Sequence, residues 1–344
     1  MAGRDGIFIR ACRMKKSSRT PVWFMRQAGR FLPEYRKLRK QYGFMDIVKD
    51  PKLAAAVTLM PVERLGVDAA ILFSDIMTPL EGMGVRFRIE DGIGPVVDAP
   101  VRDFYDVESL RELDPYESTA FVMEAVRRSK RALHGRTPLI GFAGAPFTLA
   151  TYLVEGKRSE DLSVTKSFMH SKSDAWHALM ERLAAASAEY LSAQVLSGAD
   201  AVQLFDSWAG GLSPADYEEY VLPYVKDIFR RLRGMEVPTI YFSTGTSVML
   251  DSVGRTGANV ISVDWRIDIG DAWDKIGKKA LQGNLDPALM LCDIKTIRER
   301  AGRILDRVGG RPGHIFNLGH GMPPTTPVDN AAGLVSAVHE YGAH

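Results

Sequence analysis

A short apolar run, closing most often on a polar residue or a glycine, recurs along this chain and limits the folds open to it. Eight are read: Pro21–Arg26 (PVWFMR), Ala69–Asp75 (AAILFSD), Pro138–Gly144 (PLIGFAG), Ala201–Ser207 (AVQLFDS), Pro238–Thr244 (PTIYFST), Val260–Trp265 (VISVDW), Ala280–Leu285 (ALQGNL) and His314–His320 (HIFNLGH). Near-continuous apolar runs are the mark of strands covered on both faces, as in parallel sheets. Helical periodicity fills most gaps. Ser171–Ser197 carries Trp176, Leu179, Met180, Leu183, Ala186, Tyr190 and Leu191 on one stripe and stops at Gly198. Ser213 before Pro214 reads as an N-cap with proline in the first turn, opening a helix to about Arg233, before Gly234. Eight strands alternating with helices predict a single α/β domain over residues 1–344, a (β/α)8 TIM barrel, with residues 1–20 as an N-terminal extension. A doubly wound open sheet is the alternative.

One segment breaks the alternation. Val85–Ile89, the Asp91-Gly92 turn and Pro95–Val97 have the period-2 pattern of a β-hairpin, predicted over 82–99 as an insertion after the second strand. That excursion lies on the side where a barrel keeps its active site.

Charge and cysteine content narrow the function. Among 344 residues, 44 Lys+Arg against 42 Asp+Glu leave a net charge of +2, which argues against a dedicated nucleic-acid binder. It does not exclude a compact polyanion, because six basic residues and one acid, Glu34, fall between Arg26 and Lys40. No apolar run approaches the ~20 residues of a membrane helix. Ile7-Phe8-Ile9 is too short for the apolar stretch of a signal peptide, and the cytoplasm is the expected location. Cys12 and Cys292 allow at most one disulfide and supply no thiolate zinc cluster. Neither G-x-G-x-x-G nor G-x-x-x-x-G-K-[ST] occurs, so nucleotide cofactors lack their usual signatures. His170 and His177, seven residues apart on one expected helix face, are read as a solvated or packed pair rather than as ligands.

Candidate chemistry gathers at the C-terminal ends of the expected strands. Arg26 ends the first run and Arg30 follows a glycine-containing turn, where guanidinium forks suit carboxylates or phosphates. Lys37, Arg39 and Lys40 are read as a solvated helix face. Asp75 ends the second run, either as a functional carboxylate or as an N-cap of the next helix. Gly141–Tyr152 is a small-residue turn that brings the Tyr152 hydroxyl one or two helical turns in. Phe205–Gly211, with Ser207, and Asn317–Gly321, with His320, complete the set.

These segments resemble the uroporphyrinogen decarboxylase family along nearly the whole chain. The resemblance rests on RTPVWFMRQAGRFLPEYR (Arg19–Arg36), GFAGAPFTLATYLVEG (Gly141–Gly156), FSDI (Phe73–Ile76), LFDSWAG (Leu204–Gly210) and NLGHG (Asn317–Gly321). It implies a (β/α)8 barrel, a homodimer with facing clefts, and no metal or organic cofactor. It implies removal of CO2 from the four acetate side chains of uroporphyrinogen III. It further implies substrate contacts at Arg26, Gln27, Ala28, Gly29, Arg30, Asp75, Tyr152, Ser207 and His320, with Asp75, Arg26, Arg30 and Tyr152 as the catalytic set. An ionised Asp75 is suited to collect the pyrrole N–H groups. Arg26 and Arg30 are expected to clamp carboxylates, one of them being a candidate proton donor. Tyr152 and His320 are the alternatives, His320 being expected to titrate near neutrality. A zinc- and corrinoid-dependent methyltransferase of the same superfamily is the rival. It needs a His/Cys ligand set, whereas Cys292 follows an expected helical turn.

Overall fold

The computed structural model describes residues 6–90 and 93–341. Seven of the eight runs form one parallel sheet, in chain order: β1 (Ala70–Ile71), β4 (Leu139–Gly144), β5 (Ala201–Asp206), β6 (Thr239–Ser243), β7 (Val260–Ser262), β8 (Ala280–Leu285) and β9 (His314–Leu318). Every residue of β4, β6, β8 and β9 is buried, as a sheet covered on both faces requires. The sheet is a curled half-barrel of α/β type. Strands β2 (Phe87–Glu90) and β3 (Gly94–Val97) pair antiparallel with each other, and the expected turn residues Asp91 and Gly92 lie outside the described residues. The ribbon lies against the end of the Pro146–Glu155 helix, where Val97 N–H donates to the Gly156 carbonyl.

The run Pro21–Arg26 is not a regular strand. It makes one parallel bridge, Val22 to Phe316. Pro21 has no N–H to give, and the Val22 N–H goes to the Asp68 carboxylate at 2.9 Å instead of a backbone carbonyl. The segment still joins both flanks of the sheet. Phe316 N–H donates to Pro21 O, Trp23 N–H to Phe316 O, and Asp68 N–H to Val22 O.

The expected Ser171–Ser197 helix forms over Ser173–Leu196. Lys172 (φ −131°, ψ 54°) separates it from Ser163–Ser171, so His170 and His177 occupy different helices and do not share one face. Both rings pack on Tyr220, at 5.3 and 5.8 Å. Ser213 caps as expected, its Oγ accepting the Asp216 N–H, but the helix it opens stops at Tyr220 and a second runs over Leu222–Leu232. Pro223 causes the break, since it cannot donate to the carbonyl four residues back and its ring crowds that position. In the N-terminal segment, Ile7–Cys12 is helical with Phe8, Ile9, Ala11 and Cys12 buried.

A polar chain crosses the buried interior of the sheet. Trp23 Nε1 donates to Gln282 Oε1 at 2.9 Å, and Gln282 Nε2 donates to Gln203 Oε1 and Ser262 Oγ at 3.1 and 2.9 Å. Alternation along β5 turns Gln203 to that side and Asp206 to the helix-covered face. There Thr148 Oγ1 and Tyr241 OH donate to Asp206 at 2.8 and 2.7 Å, and Tyr217 OH donates to Tyr241 at 3.0 Å.

Burial raises the Asp206 carboxyl to about 6, against the opposing pull of its two hydroxyl donors. A carboxyl raised in the folded state holds its proton longer there than in the unfolded chain. Stability is therefore lost as pH rises from the unfolded value near ~4 to about 6, and the loss is complete above it. A shift of this size corresponds to ~3 kcal/mol. Thermal melts at pH 4 and pH 7 are expected to show Asp206→Asn gaining on wild type by a few degrees at the higher pH. An unchanged gap between the two proteins would contradict this.

Candidate active site

Because the sheet is parallel, the segments that leave its C-terminal edge share one mouth. The first of them is shaped by Gln27. Its fully buried amide accepts the Phe24 N–H at 3.0 Å and donates to the Ala69 carbonyl at 3.0 Å, while its own N–H closes a turn onto Phe24 O. That turn holds Arg26 in the left-handed region, φ 59°, at a cost of ~1–2 kcal/mol for a residue with a Cβ. The exposed Arg26 side chain lies against Gly321, in the segment that follows β9. Gly29 completes the turn, since a Cβ there would meet Arg26 O at 2.8 Å. Gln27 thus acts through its scaffold bonds. Ala28 packs on the core and Arg30 is exposed.

Asp75 precedes the Thr78–Gly82 helix without being its N-cap, which is Met77. One carboxylate oxygen accepts the Met77 N–H at 2.8 Å in a local turn, and the other has no donor among the described residues. Desolvation raises its pKa, opposed by the Met77 N–H and by the nearby Arg26 charge. Tyr152, half-buried on the Pro146–Glu155 helix, meets Trp208 edge-on at 6.1 Å. Its pKa is raised, chiefly by burial and further by Asp75, so it remains a neutral donor. Ser207, beside Trp208, has its carbonyl held by Thr244 Oγ1 at 2.7 Å.

His320 departs from expectation. Burial, together with the charges of Arg26, Arg266 and Arg158, lowers it to about 4. Its Nδ1 accepts the Gly321 N–H at 2.7 Å, which leaves the proton of the neutral ring on Nε2. The expectation of titration near neutrality is therefore corrected. A buried ring beside several cations is not a proton reservoir at pH 7.

Arg26 ties the site together electrically, since its charge acts on Asp75, Tyr152 and His320 alike. Two cations at the same mouth escaped sequence reasoning. Arg158 acts on both Tyr152 and His320. Arg266 follows β7 and pairs with the buried Asp264 at 2.5 Å. The sequence signal for Arg266 is a charged residue one position past the apolar run Val260–Trp265. Cys292 is a free thiol after the Pro287–Leu291 turn, and no cluster of three metal-ligating side chains occurs among the described residues.

Gly321 sits against the Arg26 side chain, where an added Cβ would lie 2.8 Å from Cγ. Gly321→Ala is expected to turn Arg26 out of the mouth. Turnover should fall about tenfold with Tm within 2 °C of wild type, as read by steady-state kinetics and thermal melts. Full activity in this variant would show that the Arg26 placement does not matter.

The family model and the sequence relatives point to one family. A family model described as "Uroporphyrinogen decarboxylase (URO-D)" matches residues 5–341. A protein named uroporphyrinogen decarboxylase from Roseiflexus sp. (strain RS-1) is 52% identical over 342 residues, covering 98% of each chain. One of the same name from Carboxydothermus hydrogenoformans is 48% identical over 337 residues, covering 98% of this chain and 96% of its own. Among solved structures, a methyltransferase from Methanosarcina mazei superposes with TM-score 0.79 at 21% identity, covering 98% of this chain and 99% of its own. At that identity the likeness is one of fold.

Proposed function

The chain belongs to the uroporphyrinogen decarboxylase family, and on that premise we propose that the mouth around Asp75 binds uroporphyrinogen III and converts it to coproporphyrinogen III. The protein is a decarboxylase of porphyrin biosynthesis. One observation supports the assignment of the site above others. A single guanidinium, Arg26, acts on a desolvated carboxylate, a neutral phenol and a neutral imidazole at the same edge of a parallel sheet.

The chemistry needs an electron sink. Protonating a pyrrole carbon makes a cationic ring within the substrate. The bond to the acetate carboxyl then breaks, CO2 leaves, and the electron pair flows into that ring. A proton added to the resulting exocyclic methylene gives a methyl group, and loss of the first proton restores the pyrrole. The substrate supplies its own sink, so no cofactor is called for. Asp75, an acceptor when ionised, collects pyrrole N–H donors on its free oxygen and stabilises the cation. Charge-assisted hydrogen bonds of this kind are each worth ~1.5–3 kcal/mol. Arg26 and Arg30 clamp substrate carboxylates. Tyr152, Ser207 and the Nε2–H of His320 donate to others, while Gln27, Ala28 and Gly29 form the turn that presents Arg26.

The finer architecture belongs to the same proposal. The Pro21–Arg26 segment serves as the eighth stave of a (β/α)8 barrel, and the β2–β3 ribbon is a hairpin insertion beside its mouth. The protein works as a cytoplasmic homodimer with facing clefts.

Anaerobic incubation with uroporphyrinogen III, followed by chromatography of the oxidised products, tests the activity. Stepwise loss of carboxylates is expected, and recovery of unchanged octacarboxylate would refute it. Asp75→Asn should release CO2 at under a tenth of the wild-type rate with Tm preserved. Because the Asp75 pKa is raised and the carboxylate must be ionised to accept, the acidic limb of kcat/KM should lie above the ordinary carboxylate range near ~4. His320, neutral above about 4, should contribute no inflection near neutrality, and His320→Asn should leave the limb unmoved.

A further inference from the structure

Arg266 is placed at the mouth by three contacts. Its guanidinium lies over the Trp265 ring at 4.1 Å and pairs with Asp264 through Nη1 at 2.5 Å. Asp264 is buried and also accepts the Gly245 N–H at 2.6 Å and the Arg266 N–H at 3.0 Å, so the loop after β7 is fastened to the loop after β6. On the other side, Gly319 fits so closely against this loop that an added Cβ would meet the Asp264 carbonyl carbon and Trp265 Cε3 at 3.0 Å each. The His320 segment and Arg266 are therefore neighbours at the same edge of the sheet.

Nη1 is committed to Asp264, but half of the Arg266 side chain remains exposed. A planar guanidinium stacked on an indole and held at one nitrogen has lost much of its rotamer freedom before any ligand arrives. That is the state in which an arginine binds a carboxylate at the least entropic cost. Position in the ring of segments completes the argument. Counting Pro21–Arg26 first, β1 second and β7 sixth in the order of the sheet, Arg266 stands four stations from Asp75 and three from Arg26. A macrocycle held by its pyrrole N–H groups on Asp75 sends carboxylates to its whole periphery, including a sector that Arg26 and Arg30 do not serve.

We propose that Arg266 is a substrate-binding residue that clamps a side-chain carboxylate of the porphyrinogen on the rim opposite Asp75. This rests on the assignment of the octacarboxylate as substrate. Trp265 and Asp264 are its positioning residues.

The test uses steady-state kinetics on the full-length protein with uroporphyrinogen III. Arg266→Gln is expected to raise KM about tenfold, with kcat within threefold of wild type and a shallower dependence of log KM on log salt. The double variant Asp264→Asn/Arg266→Gln removes the ion pair while keeping an acceptor for the Gly245 N–H. If Arg266 served only to neutralise Asp264, this variant would recover the wild-type KM, and the proposal would be overturned. A KM still raised about tenfold at a wild-type Tm supports the clamp. An unchanged KM in the single variant also overturns it. Failure of the wild type to release CO2 would instead strike the substrate assignment, which separates the two outcomes.

Discussion

The site depends on the backbone bonds by which residues 21–23 join the two flanks of the sheet. Phe316 N–H to Pro21 O, Trp23 N–H to Phe316 O and Asp68 N–H to Val22 O place the start of the chain between β9 and the approach to β1. Without them Arg26, Asp75 and His320 would belong to distant stretches of chain. With them, three residues spaced across almost the whole sequence share one field. Asp68 strengthens the junction by accepting the Val22 N–H and pairing with Arg19 and His339 at 2.7 Å each.

Once the junction is made, electrostatics sorts the groups by burial. Asp75 and Tyr152 are desolvated and shift upward, one becoming a stronger base and the other a firmly neutral donor. His320 is desolvated too, but burial and neighbouring cations both disfavour its charged form and drive it down. The mouth thus sets guanidinium groups beside polar donors that stay neutral. That division suits a substrate that is an anion at its rim and a cation at its centre during reaction.

Much of this was legible in the residues. Periodicity located seven strands within a few residues, because a doubly covered strand must be apolar on both faces. It also predicted a regular first strand, where Pro21 and the Asp68 carboxylate leave a single bridge. It ran one helix across Pro223, because an apolar stripe carries on across a break in the backbone, and it put His170 and His177 on one face although Lys172 parts their helices. Asp75 offered two readings from sequence, and in the structure one oxygen makes a turn bond to the Met77 N–H while Met77 itself holds the cap position. Gln27 looked like a ligand contact from its place in the motif, whereas its amide is spent on Phe24 and Ala69.

By itself the sequence determined the order of strands and helices, the small-residue turns after them, and the residue types available for chemistry. These follow from local rules, in which burial sets the period and backbone sterics set where glycine and proline fall. The tertiary structure alone decided which of those residues share a field, which nitrogen of His320 carries the proton, and that Arg266 and Arg158 join Arg26 at the mouth. Charge acts through space and depends on desolvation. Neither distance nor burial is a property of the chain until the loops after the first run, β1, β7 and β9 are brought to one edge.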